Sequence, residues 1–392
     1  MHPPGADTVV VRHGDLNVKS TGVQRRMERR LGENVEALLD AADVPGEVDV
    51  QWSRILIRTT PDAVDAATEA ASRAFGVVST SAALPVPSER EAIEDALAAT
   101  AREHYDAGTF AVDARRADKS LSFDSEDAQR FGGQAIWDAV EDDFHPEVDL
   151  DDPDHTFEVE IRKDETFVTL GRTDGPGGLP LGTQAPMVAL VSGGIDSPVA
   201  AFEVMKRGSP IVPVYVDLGD YGGPDHEARA VGTVATLADY APNFDFDVWR
   251  VPGGDVVTDL VDRMDSGRML AFRRFLFLVG EAVAREAGAA GIVTGEALGQ
   301  KSSQTAQNFA VTTPVTQIPV HRPLFTWDKQ DIVQKARDIG TFHDSTIPAG
   351  CNRMVPNQPE TKGSIPSVEA REPDDLRERA VAAVAEATRI DP

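Results

Sequence analysis

The sequence predicts a multi-domain chain in which α+β N-terminal domains precede a doubly wound α/β domain. Three observations carry this prediction. The 392 residues are more than one ordinary domain needs. Up to about residue 173, short β-branched strands mix with amphipathic helices in no regular order. From residue 187 onward, apolar strands alternate regularly with helices, the pattern of a mainly parallel sheet.

The first block covers residues 1–75. Thr8–Arg12 reads as a strand. Gly22–Leu39 reads as a helix, with Val23, Met27, Leu31, Val35 and Leu38 at helical spacing. Val48–Val50 and Ile55–Arg58 alternate like hairpin strands around Trp52, and Pro61–Ala74 is an Ala-rich helix. This order suggests an α+β sandwich of the ferredoxin-like kind. The second block covers residues 76–173. It offers a helix at Ser88–Tyr105, a strand at Thr109–Ala114 and a helix at Ser125–Val140. A hairpin follows at Thr156–Ile161 and Thr166–Gly171. Thr173–Gln184 (TDGPGGLPLGTQ) is dense in Gly and Pro and reads as a linker or surface loop. The third block, 174–392, has strands at Met187–Val191, Pro210–Asp217, Asp245–Val251 and Gly291–Thr294. Helices at Pro198–Arg207, His226–Tyr240, Met269–Ala287 and Lys329–Ile339 lie between and after them. A last helix is expected at Asp375–Ala387.

Composition narrows the class. The net charge is −27, from 40 Asp and 25 Glu against 30 Arg and only 8 Lys. Asp over Glu and Arg over Lys resembles the bias of salt-in halophiles, where molar salt screens repulsion to about 3 Å. At face value such acidity argues against a nucleic-acid partner. The longest apolar runs, such as Met187–Val191 and Phe275–Val279, are too short to cross a bilayer. Met1–Asp7 lacks a basic stretch followed by an apolar one, so a cytoplasmic protein without a signal peptide is expected. The single cysteine, Cys351, excludes an intramolecular disulfide, a zinc–thiolate site and a cysteine-ligated iron–sulfur cluster.

The strongest local signal is Ser192-Gly193-Gly194-Ile195-Asp196-Ser197, between a buried strand and a helix. The glycines allow a tight turn, the serines add hydroxyls, and the helix start adds its positive dipole end. The result is an anion cradle at the carboxyl end of a strand. No Gly-Lys-Ser/Thr follows, so this is not the Walker pattern. SGGxDS after a strand resembles the PP-loop of ATP-dependent adenylating enzymes. A second polar, glycine-containing run, Gly295–Thr305, also follows an apolar strand and could approach a ligand closely. Arg273 and Arg274 interrupt an apolar helix and need anionic partners, which a triphosphate or a structural ion pair would supply. Cys351 lies among Pro348, Gly350 and Arg353, a loop composition in which Arg353 could lower the thiol pKa.

With SGGIDS, TGEALGQKSSQT, RPLFTWDKQDI and the late cysteine together, the chain resembles the tRNA 4-thiouridine synthases of the ThiI type. The resemblance extends upstream through VRHGDLNVKS, then through TFAVDARRADKSLSFDSEDAQRFGGQAI, which is similar to a THUMP domain core. It covers about residues 8–352 in the same order. It implies a ferredoxin-like domain, a THUMP domain and a PP-loop adenylation domain. It also implies thiolation of uridine 8 of tRNA, with ATP and Mg²⁺ as cofactors. Uridine O4 is adenylated, pyrophosphate leaves, and sulfur then displaces AMP. By matched position, Leu190, Val191, Tyr215 and Val216 would line the adenine pocket. Ser192, Gly193, Gly194, Asp196 and Ser197 would hold the phosphates. Arg273, Gly295 and Gln304 would complete the nucleotide site. Asp196 would be the essential loop carboxylate, acting through Mg²⁺, and Lys329 matches a family lysine. Cys351 matches the family's thiol of this domain. Longer family members carry a rhodanese domain whose cysteine bears a persulfide, and no second cysteine exists here. The expected sulfur donor is therefore external: a persulfide, sulfide or a thiocarboxylate protein. The family also implies a homodimer.

Charge is distributed unevenly along the chain. Residues 1–31 hold six basic side chains against three acidic, whereas Asp138–Glu165 holds thirteen acidic against two basic. Lys19, Arg115, Arg116 and Lys119 are therefore candidate tRNA contacts, since guanidinium forks suit phosphates. THUMP domains are understood to grip RNA by shape and phosphates. A solvated helix face is the alternative for any one of these residues. For the whole chain, the alternatives are an amidating PP-loop ligase or a tRNA-binding module without catalysis.

Overall fold

The computed structural model describes all residues except 15–19, 53, 118–119, 223, 347–353 and 357. The chain divides into two compact units, Met1–Pro180 and Leu181–Pro392.

The N-terminal unit begins with β1 (Thr8–His13), α1 (Thr21–Ala41), β2 (Glu47–Gln51), β3 (Arg54–Arg58), α2 (Val64–Ser72) and β4 (Val77–Val86). It continues with α3 (Arg90–His104), β5 (Thr109–Arg116), α4 (Ser125–Val140), β6 (Glu147–Val148), β7 (His155–Ile161), β8 (Thr166–Thr169) and β9 (Thr173–Asp174). The described strands form one sheet in the order β2-β3-β1-β4-β8-β7-β5-β6, with β9 also on β4. The first four strands are antiparallel neighbours in the order β2-β3-β1-β4, as a βαββαβ ferredoxin-like unit requires. Alternation sets the two faces. Val9, Val11, Ile55 and Ile57 point to one side, into the core under α1 and α2. Val10 and Leu56 point to the other, where they meet Ala83 and Phe167. Helix α4 starts where Asp124 and Asp127 form a reciprocal capping box.

The sequence reading gave no element to Val77–Val86, yet β4 is the strand between β1 and β8. Its Ser79–Ala83 core is buried on both faces, so the polar–apolar alternation that marks a half-exposed strand is missing. The supposed linker at Thr173–Gln184 also differs from expectation. Thr173–Asp174 pairs with Ser79–Thr80, and Leu179 and Leu181 are buried. Pairing and apolar burial tie the segment down despite its glycines and prolines.

The C-terminal unit contains β10 (Met187–Leu190), α5 (Asp196–Met205), β11 (Ile211–Asp217), α6 (Pro224–Ala238) and β12 (Val248–Pro252). Next come α7 (Gly254–Arg263), α8 (Arg268–Ala287), β13 (Ile292–Val293), α9 (Ala306–Thr312), β14 (Val320–His321) and α10 (Lys329–Asp338). The remainder holds α11 (Phe342–Thr346), α12 (Ile365–Glu369), α13 (Leu376–Ala385) and β15 (Thr388–Ile390). The sheet order is β14-β13-β10-β11-β12-β15, parallel except for the antiparallel edge strand β15. Helix α8 packs Phe275, Leu278 and Val279 into the core, beside Val214 and Val251 of the sheet. Left-handed glycines bound it, Gly267 at φ 77° and Gly288 at φ 66°. The sequence reading missed α7, although its ten residues carry an apolar face of Val256, Val257 and Leu260, and it missed β15 and the shortest elements, which are too brief to show a period. Arg274, a candidate phosphate ligand, is instead buried between Glu369 (2.9 Å) and Glu372 (2.8 Å), a structural ion pair that fastens the C-terminal segment to α8. No described helix is long and apolar enough to cross a membrane.

Candidate active site and nucleic-acid interface

The PP-loop leaves the end of β10 and opens α5. Gly193 has φ 64°, and a Cβ there would lie 2.7 Å from Arg229 Cβ and 2.9 Å from the Ala230 nitrogen. Only glycine fits that turn against α6. The Ser192 amide donates to Ser197 Oγ at 3.2 Å, and the Ser197 hydroxyl donates to the Gly194 carbonyl at 3.4 Å. These bonds curl the loop around its own centre. Helix α5 begins without a side-chain cap, so its first amides face the loop as anion donors. Gly295 was expected to admit a ligand. It admits the loop itself: a Cβ there would sit 2.6 Å from the Asp196 carbonyl carbon and 2.7 Å from the Ser197 nitrogen.

A cavity of about 430 Å³ opens over this loop at the carboxyl ends of β10 and β11. Leu190, Val191, Ser192, Gly194, Asp196 and Ser197 line it from the loop side. Tyr215 and Val216 line it from β11, Arg273 from α8, and Gly295 and Gln304 from the run after β13. Of the expected nucleotide residues, Gly193 is the one outside the lining. Phe272, Leu276 and Phe277 supply an apolar wall suited to a planar base.

The polar groups around the cavity are linked. Lys329, at the start of α10, places Nζ 2.5 Å from Asp196 Oδ1. Glu296, buried at 2% exposure, accepts from Arg273 Nη1 and from Arg322 Nε, the latter at 2.8 Å. The Gln304 carboxamide, oriented to satisfy both neighbours, donates to the Ala297 carbonyl at 3.0 Å and accepts from Arg273 Nη2 at 3.1 Å. His226 Nδ1 lies 3.3 Å from the Tyr215 hydroxyl. Burial, reinforced by Arg229, pushes the His226 pKa down, with Asp217 opposing. Arg229 Nη2 donates to the Ser345 carbonyl at 2.5 Å. Sequence reasoning did not single out His226, Arg229 or Arg322 as lining or supporting this cavity. Glu296 entered only as part of a motif, and a carboxylate directly after the end of an apolar strand was the signal available for it.

In the N-terminal unit, the sheet face opposite the β1/β3 helical core is rich in guanidinium groups. Arg54 and Arg58 lie over Phe167 at 4.6 and 5.6 Å. Arg58 is bidentate to Glu165 at 3.0 and 2.6 Å, and Arg12 bonds Ser81 and pairs with Glu158. A cavity of about 240 Å³ on this unit is lined by Arg12, Arg115, Arg116, Arg162 and Arg172, with Glu158 and Glu160. Arg115 is mostly exposed and pairs with Asp113, while Arg116 Nη1 donates to the Phe123 carbonyl at 2.7 Å.

Three family models match the chain in order. The ThiI ferredoxin-like domain matches residues 8–81, the THUMP domain 88–170, and the thiamine biosynthesis protein (ThiI) model 182–375. A probable tRNA sulfurtransferase of Halobacterium salinarum is 60% identical over 98% of this chain and 97% of its own length. The chain belongs to the ThiI family. A probable tRNA sulfurtransferase of Methanosarcina acetivorans is 40% identical over 91% of this chain and 87% of its own. Among solved structures, a 4-thiouridine synthetase in complex with RNA and bound ATP matches 98% of this ThiI-family chain and 99% of its own. That match has a TM-score of 0.86 and 26% identity. A Pyrococcus horikoshii protein matches 85% of the chain with a TM-score of 0.68 at 23% identity, a likeness of fold.

The PP-loop, the polar run after β13 and the ferredoxin-like–THUMP–ThiI order of this family are thus all present. The expected residues Cys351, Lys19 and Lys119 lie outside the described residues. The halobacterial relative accords with the acidic, Arg-over-Lys composition.

Proposed function

We infer that this chain is an ATP-dependent tRNA sulfurtransferase that forms 4-thiouridine at position 8 of tRNA. The observation that carries the reading is the cavity over the SGGIDS loop, which gathers eleven of the twelve expected nucleotide residues beside an apolar wall. The structural relative with bound ATP and RNA supports the same assignment.

The chemistry runs in two displacements. Uridine O4 attacks the α-phosphorus of ATP, N3 gives up its proton, and the bond to the β-phosphate oxygen breaks to release pyrophosphate. Sulfur then attacks C4, and the C4–O4 bond breaks with AMP as leaving group. The loop amides, Ser192, Ser197 and the α5 N-terminus hold the phosphates and meet charge that grows on the departing pyrophosphate. Tyr215, Val216 and the Phe272–Phe277 wall hold the base. Arg273 and Lys329 bring positive charge to the loop. Among the described residues no cluster of three or more metal-ligating side chains exists. A single carboxylate, Asp196, fits a Mg²⁺ ion held mainly by nucleotide oxygens. When bound, Mg²⁺ would neutralise phosphate charge during transfer.

The same reading divides the work along the chain. Residues 1–75 and 76–173 would hold tRNA through the arginine-rich face, and 174–392 would adenylate and thiolate. With an external persulfide donor, Cys351 would take its outer sulfur by thiol exchange, the donor leaving as its thiolate, or would attack the disulfide left between donor and C4 sulfur and so free the thiouridine. Sulfide or a thiocarboxylate would instead attack C4 directly. A homodimer and a cytoplasmic location complete the proposal, supported by the family resemblance. Mass spectrometry of tRNA nucleosides tests it: a deletion strain should lose 4-thiouridine and regain it on complementation. Unchanged 4-thiouridine in the deletion strain would overturn it.

A further inference from the structure

We propose that Arg322 and Glu296 form a positioning relay that fixes the Arg273 guanidinium against the nucleotide. The inference rests on the reading of this cavity as an ATP site and goes beyond it, because Arg322 is not among the residues lining the cavity.

Arg273 is held from two sides within the cavity wall. Nη1 donates to Glu296 and Nη2 to Gln304 at 3.1 Å. The third donor, Nε, is buried and has no hydrogen-bond partner. A buried donor left unpaired is costly, and an acceptor on a bound ligand would relieve that cost. Glu296 is buried at 2% exposure and shares its two oxygens between Arg273 and Arg322. Arg322 is itself fixed from behind. Its guanidinium lies over Phe309 at 4.8 Å and Phe277 at 5.6 Å, and Nη2 donates to Thr313 Oγ1 at 2.9 Å.

The charge arithmetic of the triad matters. One carboxylate alone would cancel Arg273 and leave the wall neutral. A second guanidinium behind it restores one net positive charge while Glu296 keeps the two cations from repelling. The wall therefore attracts an anion through an arginine whose planar fork is oriented before the ligand arrives. Glu296 and Arg322 act through Arg273 and are positioning residues.

The test is tRNA-dependent ATP–pyrophosphate exchange with the full chain, comparing Arg322→Gln, Arg322→Lys, Glu296→Gln and the Glu296→Gln/Arg322→Gln pair. Circular dichroism and thermal melts report folding. Arg322→Gln should raise the ATP KM about tenfold with kcat changed much less, the signature of lost ground-state binding. Arg322→Lys should recover most of the affinity. The double variant should be no worse than Glu296→Gln alone, because the two residues act in series. A folded Arg322→Gln variant with wild-type KM, or strictly additive effects in the pair, would overturn the relay. If Glu296→Gln does not fold, the Arg322→Gln and Arg322→Lys comparison still decides. A wild-type chain with no exchange activity would defeat the ATP reading itself, a different result from normal exchange with an unaffected Arg322→Gln.

Discussion

Lys329 Nζ and Asp196 Oδ1 lie 2.5 Å apart, joining the first residue of α10 to the first residue of α5. The lysine side chain is 46% exposed and the aspartate 21%, so the pair adds little to folding. Its position at the mouth of the PP-loop gives it another use. The ammonium sits beside the carboxylate that would face nucleotide and metal, and on the proposed function the two charges would hold each other until phosphate arrives. Lys329→Gln should leave the melting temperature within a few degrees and cut adenylation at least about tenfold. Steady-state exchange kinetics with a thermal melt checks both halves.

Two glycines make the loop possible, and each predicts a steric failure. Gly193→Ala would place a left-handed residue's Cβ 2.7 Å from Arg229 Cβ. Gly295→Ala would press on the Asp196–Ser197 backbone at 2.6 to 2.7 Å. Each should destabilise by about 1–3 kcal/mol and weaken nucleotide binding more than its effect on the fold alone. Denaturant titration with ATP present and absent measures this. A normal stabilising increment from ATP in Gly193→Ala would contradict it.

Stability should fall on mild acidification. Burial holds His13 and His226 below their ordinary value of 6.5, Arg229 adding to the effect at His226 and Glu28 opposing it at His13. The unfolded chain binds a proton near pH 6.5 that the folded chain refuses, so stability is complete above that pH. It declines as pH drops toward the folded pKa values and then levels off. Denaturation from about pH 7.5 to about 5.5 should show this slope, and His226→Asn should flatten part of it. Identical slopes in both proteins would rule His226 out as a contributor.

Charge reversal at Arg115 should separate the two proposed ligands. The side chain is 71% exposed and, among the described residues, pairs with Asp113, so Arg115→Glu should leave packing intact. Its tRNA affinity should drop about tenfold or more, while free ATP binding stays unchanged. Adding Arg116→Glu should deepen the loss, but Arg116 also anchors the Phe123 carbonyl, so a melt must accompany the double variant. Equal loss of tRNA and ATP binding would indicate misfolding.

Cys351 is the chain's one thiol, which makes its role simple to isolate. Cys351→Ser should retain tRNA-dependent pyrophosphate exchange and lose 4-thiouridine formation in cells, since only the second displacement needs sulfur. Unchanged 4-thiouridine would remove the residue from the mechanism.

The strand–loop–helix geometry of SGGIDS was legible in the sequence because everything it needs is contiguous. Six residues supply the turn, the hydroxyls and the helix start. The arginine-rich face was only partly legible. Arg115 and Arg116 stood out as a basic pair, and Arg162 lies two residues from its partner Glu160, but Arg54 and Arg58 meet Glu160 and Glu165 only through strand register. Arg58 meets Glu165 across 107 positions of sequence. No local pattern encodes such a meeting. The net charge of −27 misled for the same reason, since it sums the whole chain while a partner meets one face. Arg273 and Arg274 show the limit within a single helix. They are neighbours in sequence, yet one lines the cavity and the other clamps the C-terminal segment, because successive helical residues point about 100° apart.

Strand β4 has a partner on each edge, β1 on one side and β8 on the other. Recombination that grafts the THUMP-matched segment onto another protein by cutting just before Val77 would strip the ferredoxin-like half of a central strand. The donor half would then carry an open, apolar edge ready to pair with other chains. A graft that moves residues 1–180 whole should melt as a single cooperative transition.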